Sequence, residues 1–162
     1  MRRLSQKRGL FAVFLIVFLD LVGAGILVPV IPYVVEPWSR DGLTVGLMAM
    51  GFSAAQFLAA PMLGALSDRF GRRPVLLVSL AGTAAGYFLF AWGPSLEVLF
   101  LARILDGATG GNISTAQAAI ADISSPKDRA KNFGLIGAAF GLGFIFGPAA
   151  GGALSRISLH AP

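Results

Sequence analysis

What most constrains this chain is how its apolar residues are grouped. Residues 9–35, 43–66, 74–92, 96–123 and 133–154 form five mostly apolar runs. Each is about the 20-residue length that carries a helix across a bilayer. Three of the five, 43–66, 74–92 and 133–154, hold no Asp, Glu, Lys or Arg. In hydrocarbon every backbone N–H and C=O must be bonded within the protein, and runs of this length achieve that as helices. The links between them are short, which favours antiparallel neighbours. The expected fold class is therefore all-α, a polytopic membrane helix bundle in contact with the lipid bilayer. Composition agrees: 13% of residues are charged, against about 25% in soluble domains.

The charges fall where membrane topology puts them. Arg2, Arg3, Lys7 and Arg8 lie in the basic segment 1–8, before the first span. Arg69, Arg72 and Arg73 lie between spans two and three, and Lys127, Arg129 and Lys131 between spans four and five. If every span crosses, all ten share one side; only Arg40 and Arg156 fall on the other. Lys and Arg accumulate on the cytoplasmic side, so the N-terminus is expected in the cytoplasm of an inner, or cell, membrane. Segment 156–162 is then expected outside. A basic start followed by an apolar run also suits a cleaved leader, but Asp20 interrupts the run and no clear small-residue cleavage site follows. Basic residues at membrane ends, rather than along one helix, argue against a nucleic-acid partner. Cys is absent and His160 stands alone, so no metal site is expected. No catalytic constellation appears, and the chain is not expected to be an enzyme.

Three ionisable residues sit inside spans: Asp20, Arg103 and Asp106. At 1.5 Å per residue, Asp20 lies about 16 Å from one face and Asp106 about 15 Å from the other. Both are thus near the midplane of a hydrocarbon core about 30 Å thick. Such residues usually face a cavity or pair with one another. Arg103 is one turn from Asp106 on the same helix face. If spans one and four are neighbours, an acid–base–acid cluster able to bind and release a proton results. The alternative is a structural Arg103–Asp106 pair, with Asp20 bonded to backbone. Thr109, Asn112, Thr115 and Gln117 continue the polar pattern along span four. They suit either a cavity wall or hydrogen bonding between helices.

Span five carries Gly137/Gly141, Gly143/Gly147 and Gly147/Gly151, spacings that let helix backbones approach. Pro148 removes one backbone donor, so a kink is expected near Gly147. In span one, Gly23, Gly25, Pro29 and Pro32 are expected to loosen the half beyond Asp20.

These motifs resemble those of the major facilitator superfamily. "GALSDRFGRRPVLL" resembles its signature between helices two and three. "LARILDGATGG" resembles its helix-four motif with an embedded Arg. "GFIFGPAAGG", with Gly143, Gly147, Pro148, Gly151 and Gly152, resembles the helix-five motif of drug:proton antiporters. "LDLVGAGILVPVIP" resembles helix one of that branch, and the wording of residues 119–154 looks closest to its tetracycline-resistance efflux group. The resemblance covers residues 9–162.

It implies roles for single residues. Asp68 would cap a helix in a partner half. Arg69 belongs to the same gate motif, in which Gly64 and Gly71 would allow close approach and a tight turn. Arg72 or Arg73 would pair with Asp122. Arg103 would take part in proton coupling with Asp20, whereas a role for Asp106 is inferred from its position alone. The superfamily fold has about twelve helices in two halves, and this chain would supply the first five, stopping before helix six. A C-terminal half is then a missing partner, and the chain alone is expected not to transport. The implied activity of the intact protein is efflux of a small amphiphilic drug in exchange for H+, with the proton gradient as energy source and no cofactor. A sugar or metabolite symporter, or a non-transporting fragment that associates with a full-length transporter, are the alternatives.

Overall fold

The computed structural model describes residues 2–155, with side chains from residue 7 onward. Arg156, His160 and the expected outer segment 156–162 lie outside the described residues. Six helices follow one another: α1 (Arg2–Val35), α2 (Gly42–Phe70), α3 (Arg72–Ala91), α4 (Leu96–Thr109), α5 (Asn112–Ile123) and α6 (Arg129–Leu154). Among the described residues every regular element is helical. Among them, four stretches are long and apolar enough to cross a membrane: Lys7–Val35, Gly42–Phe70, Arg72–Ala91 and Arg129–Leu154.

Span four departs from the single helix expected over residues 96–123. It breaks at Gly110–Gly111 into α4 and α5. Thr109 contributes by turning its hydroxyl back onto the carbonyls of Leu105 and Asp106, at 2.9 and 3.3 Å, a bond that competes with the helix ladder. Spans one and five remain single helices past their prolines. α1 runs unbroken through Pro29 and Pro32, and α6 through Pro148. Each proline removes only one N–H, and hydrocarbon strongly favours keeping the remaining backbone bonds helical.

Local chemistry sets the helix ends. Asp41 caps α2 by accepting from the Leu43 N–H at 3.0 Å. α2 and α3 are joined by Gly71 alone, at φ 96°, a left-handed conformation that a side chain would strain.

α1 packs chiefly on α6 and α5, while α4 packs on α2 and α3. Two apolar clusters result. One joins Val13, Val17 and Leu21 of α1 to Leu76, Ala116, Ala119, Ile120, Ile136 and Ala139. The other joins Val30, Ile31, Val34 and Val35 to Met48, Phe90, Leu99 and Ala102. Large apolar side chains also cover the outside, Phe57, Met62, Phe88 and Trp92 among them. With lipid outside, helix association depends on close packing and hydrogen bonds rather than on water exclusion.

Candidate functional site

Between the two apolar clusters lies a polar belt. α4 presents Arg103 and Asp106 one turn apart, and Arg103 Nη1 donates to Asp106 Oδ2 at 2.7 Å. Both side chains are almost fully buried, at 7% and 6% exposure. α2 contributes Phe52, whose ring centroid lies 4.2 Å from the Arg103 guanidinium. α3 contributes Thr83, which reaches the Asp106 carboxyl and lies 3.4 Å from the Thr109 hydroxyl. Tyr87, one turn on, stands within electrostatic reach of Asp20, Arg103 and Asp106. Its ring fills the space beside Gly23 of α1. Asp20, half-buried on α1, lies beside Asn112 and within reach of Asp106. The sequence-derived acid–base–acid cluster is thus assembled at one level of the bundle.

Its charge balance defines its chemistry. Two ionised acids against one guanidinium leave one surplus negative charge. A buried charge without compensation is costly, so one proton on either acid makes the set neutral.

The break in span four sits beside this cluster. At Gly111 a Cβ would lie 3.1–3.4 Å from Leu63 and Ala60 of α2, and at Gly107 it would strike the Phe52 carbonyl. α2 therefore passes close to the break, and Gln56 Nε2 donates to the Gly110 carbonyl at 3.1 Å. Irregular backbone at this depth is tolerated where protein covers it, and Gln56 provides that cover.

At the end of the bundle where α2, α3 and α5 meet, Arg72 gathers three partners. Its Nη1 lies 2.6 Å from Ser67 Oγ and 2.5 Å from Asp68 Oδ1. Its Nε donates to Asp122 Oδ2 at 3.0 Å. Of the two arginines proposed to pair with Asp122, Arg72 does so. Arg73 instead joins Arg72 at a cleft of about 360 Å³ between α1, α3 and α5. Arg69 is exposed, its guanidinium 5.3 Å from the Phe70 ring centroid. Asp68, in the last turn of α2, turns to Arg72 at the start of α3.

The third motif forms a seam between α1 and α6. Gly143, Gly147 and Gly151 are buried against Leu21, Val22, Gly25 and Ile26. A Cβ on Gly147 would lie 2.6 Å from Gly25 Cα.

Several sequence-derived positions fall elsewhere. Gln117 is exposed rather than in the belt, because it lies two residues from Thr115 and so faces away from it on α5. Among the described residues, a Cβ on Gly64 would meet nothing within 4 Å. Its carbonyl accepts the Ser67 hydroxyl instead, at 2.8 Å. Gly137, Gly141 and Gly152 also meet nothing within 4 Å. Gly152 lines an outer cleft of about 380 Å³ with Pro29, Tyr33 and Pro148. Phe52, Gln56, Ser79, Thr83 and Tyr87 were not singled out from sequence. Ser79, Thr83 and Tyr87 recur every fourth residue of an apolar helix, and that polar stripe was their signal.

Comparison with known proteins is decisive for the family. The Major Facilitator Superfamily model matches residues 13–162. The chain belongs to the major facilitator superfamily. Superfamily relatives include the class C tetracycline resistance protein of Escherichia coli, 44% identical over 162 residues, 98% of this chain and 41% of that protein. The class B protein of Escherichia coli is 43% identical over 150 residues, covering 91% of this chain and 37% of its own. The crystal structure of the human organic anion transporter MFSD10 (TETRAN) matches with TM-score 0.81 at 32% identity, over 96% of this chain and 43% of that one. The chain therefore spans about two-fifths of the length of these superfamily relatives, and its helices are part of the superfamily's multi-pass membrane fold.

Proposed function

We propose that this chain is the N-terminal segment of a drug:proton antiporter of the tetracycline or multidrug type. The observation that carries the reading is the buried Arg103–Asp106 pair with Asp20 facing it from α1. With both acids ionised the cluster has one negative charge too many for its surroundings, and a proton is the smallest ion that removes it. Proton uptake and release at Asp20 would then bias the bundle between two arrangements, as alternating access requires. The printed names of the relatives support a drug as the cargo. The small amphiphilic substrate and H+ would meet the apolar and polar faces of α1, α2, α4 and α6. The basic ends of the helices support a cytoplasmic N-terminus in the inner membrane. Rocking needs a second bundle against which to move, so the 162 residues alone are proposed not to transport.

The test uses the intact transporter in everted vesicles with an acid lumen. Addition of a tetracycline should alkalinise the lumen, and Asp20→Asn should abolish that exchange. Lumen acidification on substrate addition would instead mark symport. Proton-driven efflux that survives Asp20→Asn would remove Asp20 from the coupling step. Cysteine labelling of the loop containing Gly71 from the outside of intact cells would overturn the orientation.

A further inference from the structure

Among the described residues, four buried side chains in the belt keep polar atoms without a hydrogen-bond partner. They are Ser79 Oγ, Arg103 Nε, both amide atoms of Asn112, and Thr115 Oγ1. Ser79, Asn112 and Thr115 are each at most 1% exposed. Leaving such groups unpaired is costly, and in folded proteins they are commonly satisfied by buried water.

Helix register places them together. α3 runs antiparallel to α4 and α5, and the Thr83–Thr109 approach fixes their relative height. Ser79 is one turn, about 6 Å, below Thr83. The same drop from Thr109 reaches the level between Asn112 and Thr115. α1 brings the Asp20 carboxyl close to the Asn112 amide, though not into hydrogen-bonding geometry with it. One turn further, Val17 joins Leu76, Ala116 and Ile120 in an apolar floor. Above lie Tyr87, Arg103 and Asp106. The charged and titratable groups facing this place are therefore Asp20 from α1, Tyr87 from α3, and Arg103 and Asp106 from α4.

We propose that the junction of α1, α3 and α5 is a buried-water site, held by Ser79, Asn112 and Thr115, which joins Asp20 to the Arg103–Asp106 pair. The Asn112 amide offers two donors and an acceptor, and each hydroxyl can donate or accept. Together they supply the partners that a buried water needs. An excess proton arriving on this water passes to an Asp20 carboxylate oxygen. A new O–H bond forms on Asp20, one O–H bond on the hydronium breaks, and water is regenerated. The apolar floor closes the site toward the Arg72 end, so the proton does not leak past it. Asn112 is a positioning residue, since it orients the water and does not itself take the proton. The water's part in transport rests on the proton-exchange reading above; its presence does not.

The sign of two stability changes tests its presence in the intact transporter. A hydroxyl bonded to water stabilises the fold, whereas an unpaired one destabilises it. Thr115→Val and Ser79→Ala should therefore each lower the thermal unfolding midpoint, by about 2–4 °C. A rise in either variant would overturn the proposal. A structure of the intact transporter at about 2 Å resolution should show water within hydrogen-bonding distance, about 3 Å, of the Asn112 amide. An amide bonded only to side chains there would also overturn it. Asn112→Leu should cut proton-coupled efflux by about tenfold or more while leaving tetracycline affinity unchanged, and Asn112→Ser should recover part of the rate. Equal loss of affinity and rate in Asn112→Leu would overturn the positioning role. Should Asp20→Asn leave proton coupling intact, the coupling reading fails, while the water site still stands or falls on the density and the two midpoints.

Discussion

The α1–α6 seam and the polar belt share one helix and obey opposite rules. Leu21 and Gly25 point α1 at α6, where backbones meet and any added atom is excess. Asp20, one residue from Leu21, turns α1 toward α5 and the charged residues. In the seam a side chain is penalised for being present. In the belt it is penalised for being removed, because its partner stays behind in a buried place. One helix can thus be fixed on one flank by shape and on the other by charge, and the two can be separated by experiment.

The largest effect should come from unbalancing the belt. Arg103→Leu leaves Asp106 without its partner and should destabilise the protein by about 3–5 kcal/mol, read as a lower unfolding midpoint in detergent. Adding Asp106→Leu should recover most of that loss; a double variant as unstable as the single would show that charge is not the cause. Overfilling the seam comes next. Gly147→Leu should cost about 1–3 kcal/mol, while Gly141→Leu, on the open face of the same helix, should stay within about 0.5 kcal/mol. Equal effects at the two glycines would erase the seam as a distinct feature. Gln56→Leu exposes the Gly110 carbonyl at the break and should cost about 1 kcal/mol, with faster amide exchange around residues 110–112. The smallest change belongs to the rim. Asp122→Asn removes a half-exposed ion pair with Arg72 and should cost about 0.2–1 kcal/mol, a difference that shrinks as salt is added.

Spans were readable in the sequence because hydrocarbon demands length and apolarity, which composition records directly. Asp20, Arg103 and Asp106 were readable because a charge in such a run has few explanations. The break at Gly110–Gly111 was passed over: apolar sequence continues on both sides of it, and a Gly–Gly pair in a span also suits close packing. Its true sign was the combination of that pair with Gln56, which comes from a different helix and so is tertiary information. Gly64 and Gly137 meet no neighbour among the described residues. Glycine spacing marks a surface able to pack closely, but only the neighbour decides whether it does. Pro29, Pro32 and Pro148 lie inside helices that continue past them, since each proline removes one N–H and leaves the rest of the ladder in place.

The joint at Gly71 has a mechanical consequence. One residue offers two soft torsions, and here they alone connect a helix of 29 residues to one of 20. α2 is a rod about 43 Å long. Turning it by about 10° at this pivot would sweep its far end through about 7 Å, by the same rod length. A few degrees at a single glycine are thereby geared up into a displacement as wide as a small molecule at the opposite membrane surface, and the Arg72 contacts with Ser67, Asp68 and Asp122 act as the brake on that lever.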